Sequence, residues 1–158
     1  CCNPRAAWLM YSQAVATGAR IGFGALADRW GAPGRLLAQL GAAMTLGCLA
    51  LAALSTIDAP PPVLVMAAVL GCAATAMGWN GVFFAELARR VPGHEMAPVA
   101  GAPQFFTFAG GLSGPLLFGE ALRAGADWVW VWCALAAVPA AAAATMACGL
   151  RTEHASAR

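Results

Sequence analysis

Asp28 and Arg29 sit side by side in Gly24-Ala25-Leu26-Ala27-Asp28-Arg29-Trp30-Gly31, with Arg20 upstream and Arg35 downstream. A carboxylate among guanidinium groups makes and breaks charge-assisted hydrogen bonds. That is the chemistry of a contact that can hold or release, not of a bond being cleaved. A second set follows the same logic: Glu86 has Arg89 at i+3 and Arg90 at i+4, the spacing at which side chains of one helix meet. The remaining polar groups are amides beside aromatic rings, Asn80 next to Trp79 and Gln104 next to Phe105 and Phe106. Catalysis would need paired acids, a Ser–His arrangement or metal ligands, and the sequence offers none at usable spacing. The six cysteines and two histidines match no metal-ligand pattern. There is no phosphate-cradling glycine loop. No catalytic residue, metal or cofactor is expected, and the chain does not read as an enzyme.

These residues must be held by elements of an unusual composition. Hydrophobic residues make up 61% of the 158 positions and charged residues only 10%; mean hydropathy is +0.70. A soluble domain carries about 25% charged residues, so a lipid bilayer is the expected solvent. A net charge of +2 is too small and too dispersed for nucleic-acid binding. Five apolar runs, at about 7–26, 35–55, 62–85, 97–121 and 127–149, each match a hydrocarbon layer of about 30 Å. Pro- and Gly-bearing breaks separate them: Gly31-Ala32-Pro33-Gly34, Asp58-Ala59-Pro60-Pro61-Pro62, Val91-Pro92-Gly93-His94-Glu95 and Ala124-Gly125-Ala126-Asp127. Lipid offers no partner to bare backbone groups, so the spans must be helices. The expected fold is an all-α polytopic transmembrane bundle of five spans, followed by a polar tail over 150–158.

Arginine placement sets the expected orientation. Arg29, Arg35, Arg89, Arg90, Arg151 and Arg158 fall on one side, and Arg5 and Arg123 on the other. The arginine-rich side, with the C-terminus, should be cytoplasmic. Trp128, Trp130 and Trp132 then suit an interfacial belt at the outer face. Cys1-Cys2 reads most simply as the interior of a longer protein, against a lipidated or disulfide-bonded start. His94 and His154 read as solvated. Gly18-x3-Gly22 and Gly110-x3-Gly114 put small residues on single helix faces, where backbones can approach closely; Pro115 and Pro139 can kink their helices.

Gly24-x-Leu26-Ala27-Asp28-Arg29-x-Gly31 followed by Arg35, with Arg20 ahead of it, resembles the cytoplasmic loop motif of the major facilitator superfamily. Gly101-x8-Gly110-x3-Gly114-Pro115-x2-Phe118-Gly119 is similar to that family's antiporter motif, with Phe118 where a glycine is usual. Gly78-Trp79-Asn80-Gly81-Val82-Phe83-Phe84-Ala85-Glu86 and Phe105-Phe106-Thr107-Phe108-Ala109-Gly110 resemble C-terminal halves of bacterial members. The resemblance implies the last five helices of a twelve-helix secondary transporter in a bacterial inner membrane. It implies alternating access for a small solute, a partner in the N-terminal half of the same transporter, and a gating contact built from Arg20, Gly24, Asp28, Arg29, Gly31 and Arg35. In that scheme Asp28 docks near the N-terminus of span four, and the glycine faces of spans one and four slide against the other half. Trp79, Asn80, Gln104 and Phe105 would line part of the solute path, or else serve interhelical hydrogen bonding. Glu86 with Arg89 and Arg90 would be a second ion pair, or a solvated helix end. The alternative function is a non-transporting membrane fragment or helix-packing subunit.

Overall fold

The computed structural model describes the backbone of residues 4–156 and the side chains of 10–149 apart from Ser12. Expectations resting on Cys1, Cys2 and Arg158 lie outside the described residues. Five helices and no strands are present among them: α1 (Pro4–Trp30), α2 (Pro33–Leu54), α3 (Pro62–Arg90), α4 (Met96–Arg123) and α5 (Trp128–Ser156). The all-helical class and the number of helices agree with the expectation from sequence. Four of the five, α2 to α5, are long and apolar enough to cross a membrane. The other, α1, has the length, about 40 Å at 1.5 Å per residue, but its described part carries Gln13, Thr17, Arg20, Asp28 and Arg29.

The helices overrun most of the apolar limits. α3 continues past 85 to Arg90, and α5 continues past 149 to Ser156, so the backbone there is helical rather than a free tail. Hydropathy locates the lipid boundary, whereas a helix stops only where the backbone is broken. Pro33 and Pro62 open α2 and α3 at positions where the missing N–H costs nothing. Gly31 ends α1 at φ 63°, a left-handed conformation open to glycine at little cost, and its N–H closes the last turn on Ala27 O at 3.1 Å.

The helices form a row in which α1 packs on α3, α3 on α2, and α2 on α5, while α4 makes only slight contact with α3 and α5 and buries no described residue. A small apolar core lies where α1, α2 and α3 converge near the α1–α2 turn: Ala27, Leu36, Leu40 and Val82, flanked by Phe23, Leu26, Leu37 and Trp79. Glycines set the helix spacing. A Cβ at Gly81 would collide with the carbonyl oxygen of Arg20, and one at Gly78 with the ring of Phe23. On the other side of the row, a Cβ at Gly41 would lie 3.0 Å from Ala143 Cβ and 3.2 Å from the Pro139 carbonyl.

The glycine faces expected to pack meet no other helix of this chain among the described residues. A Cβ added at Gly18, Gly22, Gly110 or Gly114 would meet nothing within 4 Å, and Leu116 and Leu117, next along α4, are 65% and 69% exposed. Close approach within this chain is made instead at Gly41, Gly47, Gly78 and Gly81, while Gly114 borders open space between α4 and α5. At Gly47 a Cβ would stand 2.6 Å from Cys72 Sγ. Cys72 thereby reaches across from α3 to α2, where its thiol lies beside that of Cys48. Mild oxidation should therefore join these two cysteines, read as simultaneous loss of maleimide labelling at both when the chain is denatured after oxidation, since Cys48 is buried in the fold. Continued labelling of Cys72 after oxidation, with a Cys48→Ala control labelled equally, would contradict the α2–α3 register.

Candidate functional site

Most side-chain hydroxyls find a partner within their own helix. Thr17, Thr45, Thr75, Thr107, Ser113 and Thr145 each donate to a carbonyl three or four residues back, at 2.8–2.9 Å. That is what lipid demands of a hydroxyl. An amide oxygen has no such recourse, because it only accepts and the N–H groups inside a helix are already used. Asn80 is 3% exposed, the one buried polar residue among those described, and its Oδ1 has no hydrogen-bond partner. Trp79, beside it, is half-buried against the apolar core and meets Phe83 edge-to-face with centroids 5.8 Å apart.

At the turn end of the row, Asp28 in the last turn of α1 faces Arg89 in the last turn of α3. Arg89 Nη2 lies 3.3 Å from Asp28 Oδ1 and 3.4 Å from the Asp28 carbonyl oxygen. The guanidinium thus meets both a carboxylate and one of the carbonyls that a helix C-terminus leaves without an internal partner. Arg90, one residue on, pairs with Glu86 of its own helix. Spacing along α3 puts both arginines within reach of Glu86, whereas the structure divides them between α1 and α3. The contact between helices at Asp28 was expected; its partner was not. Asp28 meets α3 rather than the start of α4, because α1 lies along α3 while α4 stands off. The side chains of Asp28 and Arg89 are 64% and 40% exposed, so the pair contributes about 0.2–1 kcal/mol.

The other members of the motif have distinct places. Gly24 rests against the Gly81 backbone with ordinary spacing, 3.8 Å from a Cβ position. Gly31 makes the turn. The backbone of Arg20 meets Gly81, and its side chain is exposed. Arg20, Arg29 and Arg35 have no ion pair among the described residues. The expected solute-path residues divide into two groups. Trp79 and Asn80 lie inside the α1–α3–α2 row. Gln104 is half-buried on α4, and Phe105, 68% exposed, has its ring contact with Phe106. With α4 standing off, these two groups do not form one wall within this chain.

A groove that sequence reasoning missed runs between α4 and α5. It encloses about 410 Å³ and is almost wholly apolar, lined among others by Gly114, Leu117, Phe118, Trp130 and Leu135. Phe118, in its lining, makes edge-on contacts with Trp128 and Trp132, at 5.7 and 5.6 Å between centroids. The pairing of small residues on α4 with the Trp cluster on α5 was the available signal. No protein-family model, curated protein or solved structure matches this chain.

Proposed function

We propose that this chain is part of a secondary transporter of the major facilitator type, moving a small solute across a bacterial inner membrane by alternating access. The observation that carries the reading is the Asp28–Arg89 contact, a breakable ion pair joining the ends of two different helices at the arginine-rich turn end. It involves the acid of the loop that resembles the family's gating motif. In this reading the turn end and the C-terminus face the cytoplasm, and the pair holds one state of a rocking bundle. Asn80, with its unpartnered oxygen beside Trp79, supplies an acceptor and a ring to the solute path. The bare faces of α1 and α4 receive the other half of the transporter. The energy source is an ion gradient or the solute's own gradient.

A pair worth at most about 1 kcal/mol biases a two-state equilibrium by up to roughly five-fold. Asp28→Asn in the complete transporter should therefore slow uptake across a panel of small solutes by up to about five-fold, without reducing membrane insertion. The charge swap Asp28→Arg with Arg89→Asp should recover part of the loss. Uptake by Asp28→Asn at the unmodified rate would defeat the gating role. The uncovered α4 also fits a non-transporting, helix-packing subunit, and absence of uptake for every solute in the panel would favour that reading.

A further inference from the structure

Two of the four arginines at the turn end are occupied, Arg89 by Asp28 and Arg90 by Glu86. The other two, Arg29 and Arg35, are exposed and share no ion pair among the described residues. They flank the shortest connection in the chain. Arg29 is in the last turn of α1, Arg35 in the first turn of α2, and only Gly31 and Ala32 separate the two helices. The left-handed Gly31 reverses the backbone between them. No acid sits in the first turn of α2, and no side chain caps it; the acid next to Arg29, Asp28, is paired with Arg89. Trp30 lies between them in sequence and is 60% exposed. On the face of α1 below Arg29, Ala25, Gly22 and Ile21, at i−4, i−7 and i−8, are all exposed. A small, apolar, exposed helix face with two unpaired guanidinium groups and an exposed indole at its end is the pairing of surfaces met where hydrocarbon gives way to the headgroup layer.

We propose that Arg29 and Arg35 bind the phosphate of an anionic glycerophospholipid, with Trp30 seated at the level of its glycerol backbone. The partner is identified by charge complementarity and depth. Guanidinium groups bind phosphate oxygens through forked hydrogen bonds, and the apolar flank of α1 below them suits an acyl chain. The inference rests on the reading that the helices span a bilayer, but not on transport or on which leaflet the turn occupies.

The test is lipid retention by the purified chain in detergent, measured by native mass spectrometry during titration with phosphatidylglycerol, phosphatidylcholine or inorganic phosphate. Phosphatidylglycerol should be retained at roughly 30-fold lower concentration than phosphatidylcholine, the increment expected for two arginines at a membrane surface. The double variant Arg29→Gln with Arg35→Gln should bring the two lipids level. The pair Arg29→Lys with Arg35→Lys keeps the charge and should keep most of the preference. Arg123→Gln, at the other end of the bundle, should leave it unchanged. Inorganic phosphate, lacking acyl chains, should not displace the lipid at equal concentration. Undiminished preference in the glutamine double variant would overturn the proposal, as would equal retention of the two lipids by the unmodified chain. Displacement by inorganic phosphate would overturn it too, by turning the site into one for a free anion. None of these readouts depends on solute movement, so failure here is separable from failure of the transport reading.

Discussion

Gly81→Ala is expected to separate α1 from α3. The added methyl would enter the space held by the carbonyl oxygen of Arg20. That oxygen is backbone, fixed in the α1 hydrogen-bond ladder, and cannot swing aside as a side chain can. The helices must part or shift along each other, with loss of the packing between Ala27, Val82 and Leu36. Overpacking of this kind costs about 1–3 kcal/mol, and a backbone obstacle puts this position at the upper end, about 3 kcal/mol. Neighbouring glycines supply internal controls. At Gly78 the obstacle is the edge of the Phe23 ring, which can rotate away, so Gly78→Ala should cost less, about 1 kcal/mol. At Gly24 the nearest atoms are 3.8 Å away, an ordinary contact; there Ala should be neutral or gain up to about 1 kcal/mol from its better helix propensity. Unfolding in mixed micelles under increasing dodecyl sulfate would rank the three. Equal midpoints for Gly81→Ala and Gly24→Ala would show that α1 and α3 do not approach at this register.

Replacing Asn80 by Leu should move stability and function in opposite directions. The side chain is 3% exposed and its Oδ1 lacks a partner. A buried polar atom left in this state costs about 1–3 kcal/mol, and Leu keeps the branching of Asn without the polar atoms. The Asn80→Leu chain should therefore be about 1–3 kcal/mol more stable than the unmodified one. If the amide oxygen serves the solute path, the same change should abolish solute movement while the protein becomes more robust. A group kept at a cost to stability is expected where function needs it. A lower unfolding midpoint for Asn80→Leu would mean that the amide already has a partner and stabilises the fold. Higher stability with unchanged uptake would remove Asn80 from the solute path.

Much of this architecture is legible in the sequence. The breaks at Gly31–Gly34, Pro60–Pro62, Pro92–Gly93 and Gly125 fall at the junctions between helices. This is because proline and glycine act on their own stretch of backbone whatever surrounds it. The ends of α3 and α5 are less legible: hydropathy falls at the charged residues, but an arginine or glutamate is a good helix former and the helix runs on. Asp28 is recognisable as a contact residue because an acid between two apolar runs has few other uses. Its partner is not, since spacing within one helix leads from Glu86 to both Arg89 and Arg90, and only the neighbouring helix removes Arg89 from that set. The glycine faces show the same limit. Gly18-x3-Gly22 and Gly78-x2-Gly81 both place small residues on a helix surface, and nothing within either segment says which surface another helix will meet.

Composition and local backbone chemistry thus determined by themselves that the chain is helical, how many helices it has, roughly where each begins and which end gathers the arginines. Only the tertiary structure decided the order of the row, the Asp28–Arg89 pairing, the close approach at Gly81 and the isolation of the Asn80 oxygen. The first set follows from forces acting over a few residues or on total apolar area. The second depends on which helix lies beside which. Without a hydrophobic drive between helices in lipid, that choice rests on shape and on hydrogen-bond partners contributed by distant parts of the chain.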